Sequence, residues 1–279
     1  MKRFGLLLLL PFLFACEQTA LQEYRAGESS LSLDIGFYRS VSKKTGKRLG
    51  KAEYFSPGEK SRVHGIVDFS GLEEGRTHSI HLVWLRPDEH EMFRRYAEVI
   101  IENDGDSRRH VIHWKKAEDL NSFKEEIQGG DQLSLQSKLN IAAEKEREIG
   151  RYTFRIYFNR ELMAEKNFQL LESAIELSDG SENPDANFSM KKKSSLSARA
   201  FAGGLLPGET YRAELQWRKP GGKKLYSKEY EVLADEDGVV MVEGSLNTSL
   251  KKKRKPGDYS LRFVLEGSRL TEKEFTLTR

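Results

Sequence analysis

Hydrophobic and polar residues alternate with a period of two along much of the chain. Between Tyr152 and Phe158, the residues at even positions form one apolar face, and between Thr210 and Trp217 the residues at odd positions do the same. This alternation predicts strands with one face on a core and the other in water, as in antiparallel sheets. Turn-forming dipeptides separate such segments, at Pro57-Gly58, Pro207-Gly208, Gly221-Gly222, Asp237-Gly238 and Pro256-Gly257.

The sequence also repeats itself. Residues 71–105 match residues 204–238 at an offset of 133, and residues 139–170 match residues 246–277 at an offset of 107. The change of offset means that the first copy carries 26 extra residues. Each copy is long enough to bury a core of its own, so we expect a tandem of two domains rather than a solenoid.

The two copies are expected at about residues 31–172 and 173–279, each with about seven short strands. An early strand of each copy closes on a tryptophan, at Trp84 and Trp217. A late strand of each copy opens on Gly-x-Tyr, with the tyrosine at Tyr152 and Tyr259. These motifs resemble the core tryptophan and the tyrosine corner of immunoglobulin-like and fibronectin-like domains.

This resemblance implies an all-β protein of two tandem antiparallel immunoglobulin-like sandwiches. The cysteine pair of antibody domains is absent, so the resemblance does not extend to that class. It names no narrower family.

The extra residues of the first copy have a different pattern. Leu120, Phe123 and Ile127 recur at helical spacing, and Gly129-Gly130 follows them. The pattern predicts a short helical insertion at about residues 115–130, packed on the edge or end of the first sandwich. Such a helix would cover an edge strand or bind a partner.

The N-terminus has the pattern of a targeting segment. Lys2 and Arg3 precede an apolar run of 12 residues, from Phe4 to Ala15. A helix that spans a bilayer needs about 20 residues, so this run has the length of a signal peptide. The run ends in Leu13-Phe14-Ala15-Cys16, which resembles the lipobox of bacterial lipoproteins, and Cys16 is the sole cysteine.

The lipobox resemblance implies cleavage before Cys16 and acylation of that residue, including by palmitate. We therefore expect a signal peptide at 1–15 and a lipidated cysteine and tether at 16–30. The implied location is the bacterial cell envelope, attached to a membrane through Cys16. Glu17 favours the outer membrane, and the side of that membrane stays open. The alternative is an ordinary secretory signal with a free cysteine at the mature N-terminus.

Composition excludes several classes of protein. Hydrophobic residues make up 38% of the chain and charged residues 32%, which excludes both a disordered chain and a multi-span membrane protein. One cysteine excludes a disulfide scaffold and a cysteine-based zinc site. The formal net charge of +3 creates no strong global field, so we expect no nucleic-acid partner.

The sequence predicts no catalytic residues, no cofactor and no metal site. All six histidines lie in the first copy, but strand parity places His78 and His81 on opposite faces, and likewise His110 and His113. The acidic turns at 102–105 and 235–238 are typical of hairpins, with calcium as the alternative there and in the 179–185 loop. There is no nucleophile elbow and no phosphate loop, although a catalytic carboxylate pair stays open.

One basic loop distinguishes the second copy. Its residues are Lys251, Lys252, Lys253, Arg254 and Lys255. The first copy has the balanced sequence Glu-Lys-Glu-Arg-Glu at the equivalent residues 144–148. Near the start of the second copy, Lys191, Lys192 and Lys193 add three more cations. The hypothesis is a binding surface for an anionic partner, and the alternative is a solvated loop.

Together these features predict a lipid-anchored envelope protein with a binding or structural role. It would present two immunoglobulin-like domains to a protein or to an anionic envelope polymer. The first alternative is a carbohydrate-active or other hydrolytic surface enzyme that uses an outer sandwich face. The second is an accessory lipoprotein of an envelope assembly.

Overall fold

The computed structural model is built almost entirely from β-strands. It describes residues 24–26, 29–104, 107–115, 123–128, 130–180, 187–190, 195–249 and 254–279. A single 3-10 turn, Ala143–Lys145, is the one helical element in these ranges. None of the residues described forms a helix long and apolar enough to cross a bilayer.

Twelve strands form the first pair of sheets. They are β1 Tyr24–Ala26, β2 Ser29–Val41, β3 Arg48–Lys51, β4 Tyr54–Phe55, β5 Arg62–Ser70, β6 Thr77–Leu85, β7 Glu91–Asp104, β8 Ser107–Lys115, β9 Phe123–Gln128, β10 Gln132–Asn140, β11 Gly150–Phe158 and β12 Glu161–Leu170. One sheet has the order β1-β2-β5-β10, with β3 on β2, and the other has the order β4-β12-β11-β6-β7-β8-β9.

Eight strands form the second pair of sheets. They are β13 Glu172–Ser178, β14 Asn187–Ser189, β15 Ser195–Gly203, β16 Thr210–Arg218, β17 Lys224–Leu233, β18 Val240–Asn247, β19 Gly257–Leu265 and β20 Ser268–Thr278. The orders are β13-β15-β18 and β14-β20-β19-β16-β17. Without β1, β3, β8 and β9, the first pair of sheets has the same order.

This strand order is that of an immunoglobulin-like sandwich. The sheet that contains β2, β5 and β10 in the first copy corresponds to the three-stranded sheet β13-β15-β18 of the second copy. Each of them faces a sheet whose first short strand runs parallel to the last strand of the copy, as β4 does to β12 and β14 to β20. All other strand pairs are antiparallel among the ranges that the structure describes. The chain is therefore an all-β protein with two such arrangements.

The repeat extends to individual contacts. Trp84 pairs with Phe154 across β6 and β11, and Trp217 pairs with Leu261 across β16 and β19, at the same two offsets. Both tryptophans are buried in their cores, with exposures of 0% and 1%. They are buried because the inward side chains of one sheet pack against those of the facing sheet in a sandwich.

Both tyrosine corners are formed. The hydroxyl of Tyr152 donates to the carbonyl oxygen of Glu148 at 2.8 Å, and the hydroxyl of Tyr259 donates to that of Lys255 at 2.8 Å. In each copy the acceptor lies four residues before the tyrosine. The ring is buried while the hydroxyl fixes the preceding loop, as the sequence resemblance implied.

The expected helical insertion at about 115–130 is wrong where the structure describes it. Residues 107–115 and 123–128 are strands β8 and β9, which extend the sheet of the first copy. Phe123 and Ile127 are four residues apart, an even number, so the spacing also fits the period of two of a strand. There they pair with Trp114 and His110, and β9 takes the backbone hydrogen bonds of the β8 edge. Leu120 lies outside the described residues.

The two pairs of sheets meet end to end. Only Leu171, which is buried, separates β12 from β13. Nε2 of Gln169 donates to the carbonyl oxygen of Gly204 at 2.8 Å, and Ser173 and Ser56 are joined through their hydroxyls at 2.8 Å. The strand β2 begins beside Ser70, at the end of the first sandwich that is remote from this junction.

Candidate binding site on the second sandwich

Several exposed lysines of the second sandwich, among them Lys219, Lys223 and Lys255, lie in turns at its far end. We define the distal end as the end remote from the first sandwich, where β13, β16, β18 and β20 finish. Ser195 pairs with Asn247 there, so the segment that leads into β15 and the segment that leaves β18 start from neighbouring residues. The two lysine-rich segments of the sequence are therefore each within a few residues of this strand pair. Lys191–Lys193 and Lys251–Lys253 themselves lie outside the described residues.

The structure describes two of the eight predicted anion-binding residues. Nε of Arg254 donates to the carbonyl oxygen of Asn247 at 2.5 Å, and burial lowers the pKa of this guanidinium below its usual value. Arg147 makes the same contact with Asn140 in the first copy, at 3.1 Å. Arg254 therefore shapes the loop in a way common to both copies, whereas the side chain of Lys255 is exposed.

Further cations that the sequence reasoning missed lie in the β16–β17 turn. Lys219, Lys223 and Lys224 are exposed there, and Lys224 is 3.6 Å from a carboxylate oxygen of Glu214. A Cβ built on Gly257 would lie 3.1 Å from Cγ of Pro220, so this turn packs against the start of β19. The turn is thus beside the basic loop that ends at Lys255.

The repeat contained a signal for this turn. Pro87 is the equivalent of Pro220, and the first copy continues from it with Asp88-Glu89-His90-Glu91. Comparing the two turns, as was done for the basic loop, identifies a second place where the second copy has lysines and the first has acidic residues. At the same end, Asp258 is exposed and accepts a hydrogen bond from Thr276 at 2.8 Å.

A groove of about 730 Å³ crosses the outer face of the three-stranded sheet of the second sandwich. Ser178, Ser197 and Ser245 form a row across its floor because they pair in register on β13, β15 and β18. Tyr226 and Lys228 of β17 line it beside the β18 edge. We call this feature the serine groove.

The first sandwich has large side chains at the equivalent positions. Tyr38, His64 and Lys138 pair in register across β2, β5 and β10, where the second sandwich has its serine row. The amide Nε2 of Gln136 lies 2.8 Å from Nδ1 of His64, and the guanidinium of Arg48 from β3 lies over the Tyr38 ring. The same fold thus fills this surface in one copy and leaves it open in the other.

Carboxylates also line the serine groove. Glu176, Arg199 and Glu243 form the next row in the register, and Arg199 pairs with Glu243 at 2.9 Å. Both glutamates are exposed, so neither has the buried apolar surroundings that hold a general acid in its protonated form. The arrangement offers charged hydrogen-bonding groups along a concave surface.

The histidines of the first copy occupy separate environments. His78 and His110 are buried, while His81 on the opposite face contacts Tyr96, with ring centroids 4.6 Å apart and the rings tilted by 31°. His90 is exposed beside Asp88, with Nδ1 3.2 Å from a carboxylate oxygen. No group of three or more metal-ligating side chains is found within the described ranges.

The described acidic turn of the second copy has the geometry of a hairpin. Oδ1 of Asp235 accepts from the backbone amides of Asp237 at 3.1 Å and Val239 at 2.8 Å. Gly238 follows in the left-handed region, with φ of 71°. Gly105 of the first acidic turn and residues 181–186 of the third candidate loop lie outside the described residues.

Comparison with known proteins does not assign a family. No family model and no curated protein matches the chain. An immunoglobulin-like protein from Pseudomonas aeruginosa is similar at 13% identity and a TM-score of 0.31, with 52% of this chain and 99% of that one covered.

Two much larger proteins are similar over most of this chain. Red sea bream transglutaminase has 10% identity and a TM-score of 0.30, with 88% of this chain and 31% of that one covered. The native conformation of E. coli alpha-2-macroglobulin has 13% identity and a TM-score of 0.26, with 92% and 14% covered. The fold assignment above rests on the strand order of this chain.

Proposed function

We propose that this protein is a lipid-anchored envelope protein that binds an anionic polymer through the distal end of its second sandwich. The charge contrast between equivalent turns is the observation that carries the proposal. In the first copy the fold tolerates mixed charge in the 144–148 loop and acidic residues in the 88–91 turn, so the lysines of the second copy are not needed to form these turns. Clustered cations repel one another unless an anionic partner or salt screens them.

The position of the tether supports a partner away from the anchoring membrane. The strand β2 begins at one end of the molecule, and the distal end of the second sandwich is the opposite one. Strands of nine residues span roughly 30 Å in each sandwich, which separates the two ends by roughly 60 Å. An anionic glycan or the polymer of a facing envelope layer therefore fits better than the leaflet that holds the lipid.

The triple variant K251E/K253E/K255E tests the basic loop. It reproduces the charge pattern of the first copy and keeps Arg254, whose contact with Asn247 supports the loop. Each Lys or Arg at an anionic surface contributes about 1 kcal/mol, so we expect affinity for polygalacturonate to fall at least tenfold, with a weaker salt dependence. Titrations across a salt series measure both quantities.

A matched control reverses the same number of charges elsewhere. Lys43, Lys44 and Lys47 are exposed between β2 and β3, far from the distal end. K43E/K44E/K47E should bind polygalacturonate with nearly the affinity of the unmodified chain at equal ionic strength. If both variants lose the same affinity for polygalacturonate, the loss is due to net charge and not to the basic loop. If K251E/K253E/K255E loses no affinity, the basic loop is only a solvated turn. Parallel titrations with anionic and neutral vesicles separate a polymer from a lipid surface.

The lipid anchor is tested at Cys16. Cys16→Ser removes the only thiol of the chain, so we expect complete loss of fatty-acid incorporation and accumulation of precursor or soluble protein. Metabolic labelling with a clickable fatty acid, followed by membrane fractionation, measures this. An unmodified chain that takes up no label would contradict lipidation and would leave the polymer-binding proposal to its own test.

A hydrolytic enzyme is the second candidate, because Glu176 and Glu243 both line the serine groove. This hypothesis requires that the unmodified chain hydrolyses a glycan, and that Glu176→Gln or Glu243→Gln abolishes the hydrolysis. We expect no release of reducing ends by the unmodified chain, since both carboxylates are exposed and neither can be held protonated by burial.

A further inference from the structure

We propose that the serine groove is a binding site for a neutral saccharide segment of a glycan. It uses residues other than those of the basic loop, and it goes beyond the proposed affinity for polyanions. Its volume of about 730 Å³ lies within the range of about 300–1,000 Å³ that is usual for ligand sites.

The groove has an aromatic wall. Tyr226 pairs with Trp217 across β17 and β16, and its side chain is 47% exposed although it belongs to the inner row of that sheet. An exposed tyrosine offers a flat apolar face and a hydroxyl at one position. A sugar ring presents a face of C–H groups with hydroxyls around its edge, so both parts of this side chain have a partner.

Hydroxyls and charged groups occupy the rest of the lining. Neighbouring strands lie about 4.8 Å apart, so the hydroxyls of Ser178, Ser197 and Ser245 recur at that spacing across about 10 Å. A hydroxyl both donates and accepts, which suits a ligand whose own groups are hydroxyls. The hydroxyl of Ser178 accepts from the backbone amide of Gly180 at 3.1 Å, and the hydroxyls of the other two make no hydrogen bond within the described part of the chain.

The charges of the lining cancel. Glu176 and Glu243 contribute two carboxylates, while Arg199 and Lys228 contribute two cations. A polyanion would gain from the cations and lose as much to the carboxylates. A neutral ligand with many hydroxyls can accept from the cations and donate to the carboxylates, and charge-assisted hydrogen bonds are the stronger kind.

The lining disfavours a peptide. The aliphatic residues at its floor, Leu177 and Ala198, point into the core and are each 3% exposed, so an apolar side chain finds no pocket. Strand addition at the β18 edge is also obstructed, because the hydroxyl of Tyr230 donates to the carbonyl oxygen of Glu243. Lys228 lies over the Tyr230 ring, 4.6 Å from its centroid, and helps to hold this arrangement.

The test uses the full chain in detergent and three neutral hexasaccharides, built from glucose, mannose and N-acetylglucosamine. Saturation-transfer NMR and calorimetry measure binding. We expect at least one hexasaccharide to bind and Tyr226→Ala to weaken it at least tenfold. The triple variant S178Y/S197H/S245K, which installs the residues of the first sandwich, should abolish binding by filling the floor.

Two controls separate the groove from the rest of the molecule. Leu233 lies on the same strand as Tyr226 and is 64% exposed outside the groove, so Leu233→Ala should bind the hexasaccharide normally. K251E/K253E/K255E should also bind it normally, even if it loses polygalacturonate. Tyr226→Ala alters an exposed side chain, which keeps the test valid if the triple serine variant fails to fold.

The proposal is overturned if none of the three hexasaccharides binds. It is also overturned if Tyr226→Ala binds with unchanged affinity, or if Leu233→Ala weakens binding as much as Tyr226→Ala does. Loss of polygalacturonate binding in K251E/K253E/K255E has no bearing on these results, so the two proposals fail separately.

Discussion

Replacing Trp217 with alanine is expected to lower the free energy of unfolding of the second sandwich by about 3–5 kcal/mol, the usual cost of a large-to-small change in a core. The side chain is 1% exposed and lies in the same core as Phe275, whose ring centroid is 5.9 Å from its own. The facing sheet is held by its own hydrogen bonds and cannot collapse into the space. Removal of the indole ring therefore leaves a cavity in the core.

Urea unfolding followed by NMR measures this, because the method follows individual residues of each sandwich. Tyr259→Phe is the mild comparison, since it removes one hydroxyl hydrogen bond and should cost about 0.5–1.5 kcal/mol. A Trp217→Ala chain that loses less than the Tyr259→Phe chain would contradict the assignment of Trp217 to a rigid core.

The first sandwich is expected to lose about 2 kcal/mol of stability between pH 7 and pH 5, through His64. Burial, with smaller contributions from Lys138 and Arg62, lowers the pKa of His64 to about 4. The residue is 9% exposed, and its Nδ1 lies 2.8 Å from the amide nitrogen of Gln136, which donates to the neutral ring.

The sign follows from proton binding. In the unfolded chain the pKa returns to about 6.5, so between pH 6.5 and pH 4 the unfolded state binds more protons than the folded state. Stability is therefore fully present above about pH 6.5 and is lost as the pH falls toward 4. Burial also lowers the pKa of His81 and His110, which act in the same direction.

The second sandwich is the internal control, because all six histidines lie in the first. Its stability should change much less over the same interval. His64→Ser installs the residue of the equivalent position, Ser197, and should make the pH dependence of the first sandwich clearly less steep, whatever its effect at pH 7. An equally steep dependence in that variant would assign the effect to other groups.

Much of the fold was predictable from local pattern and from the internal repeat. Period two identified strands such as 152–158 and 210–217, and the two offsets aligned Trp84 with Trp217 and Tyr152 with Tyr259. These predictions are confirmed, because burial of alternate residues is a local consequence of strand geometry and two copies must satisfy the same core.

The helix at about 115–130 was wrong for a reason that the same pattern explains. Phe123 and Ile127 fit both a helix and a strand, and local sequence does not distinguish them. The available edge of β8 decided the outcome, since an unpaired strand edge offers backbone hydrogen bonds to the next segment.

The sequence by itself determined the all-β class, the two copies and the residues at the centre of each core. Only the tertiary structure brought Lys219 and Lys223 beside the loop that ends at Lys255, and Ser178, Ser197 and Ser245 into one row. Core positions follow from the alternation of apolar and polar residues along each strand, which is visible in the sequence. Surface sites are assembled across strands that lie far apart in sequence, and their neighbours are set by strand order and register.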